Sequence, residues 1–172
     1  MMKLTKFERL MLSNQFKILE GLYPKEKKNY ELNRKALEEG YSLHYNGAFE
    51  SLSPVELTED ECREVLDILS MYRALTYSFE KLEDKSGITM ESIKFNGFSE
   101  NDEEESKRLS YTHYFIMDLN RFEELKYGEE WAFFNSFIPM LDSYRRMLSA
   151  WTTVNRKQEL NRDEIIRIVE ER

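Results

Sequence analysis

Apolar positions recur at helical spacing along most of the chain. In ERLMLSNQFKIL, Glu8 to Leu19, a helical projection begun at Phe7 spreads Leu10, Met11, Leu12, Phe16, Ile18, Leu19 and Leu22 over an unusually wide arc. Arg9, Ser13, Lys17 and Glu20 share the narrow polar face that remains. Asn14 falls between Phe7 and Leu10, and Gln15 between Leu22 and Leu19, so both amides point into apolar territory. A buried amide without partners costs roughly 1 to 3 kcal/mol. Both are therefore expected to find hydrogen bonds in a structural network, a subunit interface or a ligand, the network being the ordinary explanation.

Glycine and proline punctuate the periodic stretches at Gly21, Pro24, Gly40, Gly47, Pro54, Gly87, Gly97, Gly128 and Pro139. Between them the pattern predicts helices. Thr5 with Glu8, Thr58 with Glu61 and Asn161 with Glu164 have capping-box spacing, and Pro24 suits the first turn of a helix ending before Gly40. A long scaffold helix is predicted from Glu59 to Leu82, with Val65, Ile68, Leu69, Tyr72, Leu75, Phe79 and Leu82 on one face. Another runs from Pro139 to about Val154, burying Leu141, Tyr144, Met147, Leu148 and Trp151. LSYTHYFIMDLNRFEEL is apolar almost all round, which predicts a central helix, with a strand as the alternative. IKFNGF, containing Asn96 and Gly97, is the place for a tight turn or a short extended pair, near residues 92–98. The fold class read from this pattern is all-α, in a single domain over residues 1–172.

Composition narrows the setting. The 172 residues are 41% hydrophobic and 34% charged, which suits one soluble globular domain. No apolar run reaches the ~20 residues of a membrane span, and MMKLTKFERL carries charges through its apolar pattern, unlike a signal peptide. A cytoplasmic protein is expected. Cys62 is the one cysteine, and on its apolar helical face it reads as a buried structural thiol. The net charge of −8 argues against general nucleic-acid binding, although residues 1–35 carry +5 against −13 for the rest. Lys25, Lys27, Lys28, Arg34 and Lys35 could meet phosphate or an acidic partner, but interspersed Glu26 and Glu31 fit a solvated helix better.

Catalytic and metal-site motifs are scarce. Two histidines remove many hydrolytic and metal schemes, and neither is preceded at three residues by the glutamate of a helical di-iron site. No Gly-rich phosphate loop, nucleophile elbow or HExxH motif occurs. No cofactor or metal is expected. His113, between Leu109 and Met117 on a helix, reads as a satisfied core or interface histidine; His44, among Tyr41, Tyr45 and Asn46, is the better ligand-facing candidate. The acidic run SENDEEES, Ser99 to Ser106, reads as helix capping with solvated carboxylates rather than as a cation site. Trp131, Phe133, Phe134 and Phe137, followed by Ile138, are too dense for a solvent loop and are expected in a core or an interface.

ERLMLSNQFKIL, ALEEGYSLHY, ECREVLDILSMYRAL, KFNGFSENDE and NSFIPMLDSYRRMLSAW together resemble the YfbU family of bacterial and archaeal proteins over essentially the whole chain. The resemblance implies a helical domain. Some relatives carry a helix-turn-helix segment, which implies a ligand-binding or regulatory role, and no established catalytic residues transfer. Ser99 stands where relatives often have Asp, and Phe137 where some have His, so a carboxylate role at Ser99 or a histidine role at Phe137 does not carry over.

The expectation is a non-enzymatic helical ligand-binding or protein-interaction domain that forms a homo-oligomer and has a regulatory role. Asn14, Gln15, Tyr41, His44, Tyr45 and Asn96 are its candidate polar site. The rival from another class is an enzyme using Glu38 or Glu39 with His44. A third is a nucleic-acid-associated regulator acting through the basic segment 25–35.

Overall fold

A computed structural model describes residues 3–129 and 133–172, and its chain divides into two compact units, Met1–Glu56 and Leu57–Arg172. Regular structure among the described residues is helical, with no strand, as the periodicity predicts.

The first unit is built on α1, Lys6–Leu22, and α2, Lys27–Glu39, followed by a 3-10 stretch at Ser42–Phe49. Thr5 and Glu8 form the predicted capping box of α1. Gly40, at φ 80°, ends α2 in the left-handed conformation that a side chain resists. Glu26 is the N-cap of α2, so Pro24 belongs to the preceding turn rather than to the helix. Gly21, expected between elements, lies in the last turn of α1.

The face α1 turns inward is not the one its hydrophobic pattern indicates. Phe16, Leu37 and Tyr45 form a small core with Leu12, Leu19 and Tyr30 around them, and Ser13 is buried beside it. Arg9 Nη1 donates to the Leu37 carbonyl at 3.2 Å, Ser13 Oγ to Glu38 at 2.9 Å, and Arg34 Nε to Glu20 at 2.6 Å. Most of the expected solvent face of α1 thus packs on α2, which presents partners for Arg9, Ser13 and Glu20, while Lys17 stays exposed. Only the Leu12, Phe16 and Leu19 edge of the apolar arc is covered; the rest of it, Phe7, Leu10, Met11, Ile18 and Leu22 with Asn14 and Gln15 among them, faces outward.

The second unit is organised by α3, Glu59–Lys81, where Val65, Ile68, Leu69, Met71, Tyr72, Ala74 and Leu75 are fully buried. The Thr58–Glu61 capping box starts it, and Leu82 just past its end is extended. A one-turn helix α4, Met90–Ile93, leads into an extended stretch, and α5 follows at Glu103–His113. From Tyr114 to Asp118 α5 widens into a π-type turn, in which the Leu119 N–H reaches back to the Tyr114 carbonyl at 3.0 Å. LSYTHYFIMDLNRFEEL is therefore helical only in its first part. Asn120 and Phe122 both take φ 51° and break the run before a short 3-10 turn at Glu123–Lys126.

Two further helices, α6 at Leu141–Thr153 and α7 at Arg162–Val169, complete the unit, α7 with the predicted Asn161–Glu164 box. Tyr72, Phe95, Phe98 and Tyr144 meet at ring distances of 5.2 to 5.9 Å, mostly tilted or edge-on, as aromatic quadrupoles favour. The extended stretch around Asn96 and Gly97 pairs with residues 134–136 instead of folding on itself. Phe98 N–H donates to the Phe134 carbonyl at 2.9 Å and Ser136 N–H to the Phe98 carbonyl at 3.2 Å. Gly97, at φ 85°, lets the two backbones touch, since a Cβ there would lie 1.6 Å from the Phe134 oxygen.

Candidate functional site

Each unit carries one feature that its own folding does not account for. In the first unit it is the outer face of α1. Phe7 is 70% exposed, Leu10 57%, Met11 47%, Ile18 55% and Leu22 65%, and Asn14 lies among them. Neither Asn14 nor Gln15 makes a side-chain hydrogen bond to a described residue, so the amides expected to be buried stand in solvent within an apolar stripe. Gly21 lies on the same face, and a Cβ there would meet nothing within 4 Å. A helical glycine costs about 1 kcal/mol relative to alanine, and nothing within the unit requires this one.

The remaining candidates of this unit do not join Asn14 and Gln15. Tyr45 is in the core at 4% exposure, while Tyr41 and His44 are exposed. Glu38 is committed to Ser13 and Arg34; the Ser13 hydrogen bond, with Arg34 behind it, holds its carboxyl below the ordinary range. In the basic segment Lys28 pairs with Glu31 at 3.4 Å and Arg34 with Glu20 and Glu38, leaving Lys25, Lys27 and Lys35 exposed.

In the second unit the feature is a cleft of about 670 Å³. The extended stretch from Lys94 to Asn96 forms one wall, His113 at the end of α5 another, and Tyr127 with Phe134 to Phe137 the rest. Asn96, the sixth candidate, lines it. Tyr127 Oη accepts from Phe95 N–H at 2.9 Å, and burial raises its phenol above the ordinary range. Lys94 stands over the Tyr127 ring and 3.4 Å from Glu129. His113 Nε2 lies 2.7 Å from the Phe133 carbonyl; a carbonyl only accepts, so Nε2 carries the hydrogen. Phe134 is buried edge-on to His113, whereas Phe133, Phe137 and Ile138 are exposed; Trp131 lies outside the described residues. The aromatic density of this segment was visible in the sequence, but its meeting with His113 depends on left-handed backbone at Phe134 and Phe137, which no local pattern announces.

Behind the cleft the acidic run does more than cap and solvate. Asp102 caps α5 through the Glu104 and Glu105 N–H groups, as expected. Glu105, however, is 1% exposed and accepts from the N–H groups of Ser99 at 2.7 Å, Met140 at 2.6 Å and Leu141 at 2.5 Å. It ties α5 both to the extended stretch and to the start of α6. Beside it the buried Arg108 donates to Glu64 at 3.0 Å and to the Glu104 carbonyl at 2.7 Å, and Arg145 reaches Glu64 and Glu104. Burial pushes the Glu64 carboxyl up, but hydrogen bonds from Arg145 and then Arg108 outweigh it and leave it below the ordinary range.

These features define an all-helical protein with one unsatisfied helix face and one cleft lined by polar and aromatic groups. Residues 2–171 match the YfbU domain, and the chain belongs to that family. The match runs across both units. No helix among the described residues is long and apolar enough to cross a membrane.

Proposed function

We propose that this protein is a cytoplasmic, non-enzymatic interaction domain with a regulatory role, acting through the outer face of α1. The observation that carries this reading is the exposure of Phe7, Leu10, Met11, Ile18 and Leu22 on one helix whose opposite face is already packed. Contiguous apolar patches of several hundred Å² on a folded protein mark sites of association. The test is in-cell photo-crosslinking from a reactive side chain at Ile18, with Lys35 as the exposed control. Crosslinks to protein from position 18 well above those from position 35 are expected. Equal yields at the two positions would overturn the reading.

The cleft favours a second reading, a small polar ligand held by Lys94, Asn96 and His113 against the Tyr127 ring. Native mass spectrometry of protein purified gently from its own kind of cell tests it. A stoichiometric retained mass that His113→Ala abolishes is the expected result, and a retained mass indifferent to that change would sink it.

A further inference from the structure

We infer that the occupant of the α1 outer face is a second copy of this chain, docked with its own α1 antiparallel across a two-fold axis at Asn14. The inference rests on the interaction reading above and names its partner.

The first argument is self-complementarity. Asn14 is the midpoint of α1, which runs from Lys6 to Leu22. In an antiparallel pair centred there, residues equally spaced before and after Asn14 face each other. Leu10 then meets Ile18 of the other copy, and Phe7 meets Gly21. The bulkiest exposed side chain of the stripe thus falls on the position with no side chain, where the space beside Gly21 is open. A phenylalanine knob and a glycine notch at matching distances from the centre give both copies the same contact twice, as a two-fold interface requires. Antiparallel packing also opposes the two helix dipoles, whereas a parallel pair would set Phe7 against Phe7.

The second argument is the amide. An asparagine in the middle of an apolar stripe is costly against any partner that offers it only hydrocarbon. At the axis each Asn14 would face another. A carboxamide has one C=O and an NH2, so two of them form a reciprocal pair of hydrogen bonds and satisfy each other. A single buried asparagine of this kind is a known device for fixing register between helices.

The third argument is area. With about 200 Å² per large side chain, the exposures of Phe7, Leu10, Met11, Ile18 and Leu22 leave roughly 590 Å² of apolar surface per copy. Two copies offer about 1,200 Å², just above the ~1,000 Å² that a specific interface needs.

The experiment is sedimentation velocity on the full chain at tens of micromolar, joined to disulfide mapping in a Cys62→Ser background. Wild type should sediment as a dimer. Ile18→Glu, which places two charges in the stripe but touches nothing in the unit's core, should weaken association by about 100-fold and leave the far-UV circular dichroism unchanged. Asn14→Cys should oxidise to a covalent dimer, and a mixture of Phe7→Cys with Gly21→Cys should give the mixed disulfide in preference to either symmetric one. A wild-type monomer, a dimer that survives Ile18→Glu, or a preference for the Phe7→Cys homodisulfide would each overturn the inference. A monomer that still crosslinks to another protein from position 18 would overturn only this partner assignment, leaving the interaction reading in place. Equal crosslinking at positions 18 and 35 would remove both.

Discussion

Replacing Glu105 tests whether the second unit is held together by a carboxyl group placed among backbone donors. The side chain is 1% exposed, and its two oxygens accept from three N–H groups, those of Ser99, Met140 and Leu141. Glu105→Ala removes all three acceptors and leaves the donors inside the unit, where a buried unsatisfied N–H costs about 1 to 3 kcal/mol. The apolar stem of the glutamate is lost as well. Some relaxation and water entry will offset part of the sum, so the expected loss is roughly 3 to 5 kcal/mol. Glu105→Gln keeps the volume and one good acceptor but turns an NH2 group towards backbone donors. Its expected loss is about 2 to 3 kcal/mol. Urea unfolding followed by far-UV circular dichroism measures both, provided the slope stays at its wild-type value so that the shift in midpoint reports stability alone. A loss under about 1 kcal/mol for Glu105→Ala would refute the reasoning, because it would mean that the three donors find other partners at no cost.

Gly97→Ala should destabilise by roughly 3 kcal/mol or more, since φ 85° disfavours any side chain and the new Cβ would collide with the Phe134 carbonyl; thermal unfolding checks it, and an unchanged midpoint would mean that the 97–134 contact is absent. Acid sensitivity follows from the carboxylates of Glu64 and Glu61, both held below their ordinary 4.5 in the folded protein. Their contribution is complete above about pH 4.5 and is lost as pH falls through the lowered folded values. Urea midpoints should fall steeply below that pH in wild type and less steeply in Glu64→Gln, whose stability is already reduced at neutral pH; parallel profiles would contradict the assignment. Thr58→Ala removes the cap of α3 and should cost about 1 kcal/mol, read as a small fall in urea midpoint, while Thr58→Ser should restore most of it.

How far the sequence disclosed this structure depended on whether the deciding interaction was local. Thr5 with Glu8, Thr58 with Glu61 and Asn161 with Glu164 are contacts three residues apart, and all three boxes form where their spacing places them. The buried face of α3 follows in the same way, because one helix with one apolar stripe has one sensible orientation. Glu105 was hidden for the opposite reason. In SENDEEES it is one acid among several, and only the arrival of Met140 and Leu141 from 35 and 36 residues away makes it different from Glu103. Asn96 was legible as a turn residue and does line the cleft, but the partner of its stretch, residues 134–136, is equally remote. Among Asn14, Gln15, Tyr41, His44 and Tyr45, only Tyr45 is buried, because residues adjacent in sequence need not share a side of the fold. Tyr45 turned into the core with Phe16 and Leu37, away from the exposed His44 beside it.

The first helix shows most clearly what a hydrophobic projection measures. Such a projection finds the face with the most apolar area, and folding within one chain is only one way to cover it. In α1 three of the four residues of the polar face, Arg9, Ser13 and Glu20, each found a partner on α2. The larger apolar face was left over. A unit of this size has too little core to turn both faces of a helix inward, so the choice between them went to the face whose polar groups could be satisfied. The amides at Asn14 and Gln15 then follow from the same logic. They sit on the side that needs its hydrogen bonds from outside the unit, which is where a second copy of Asn14 can supply them.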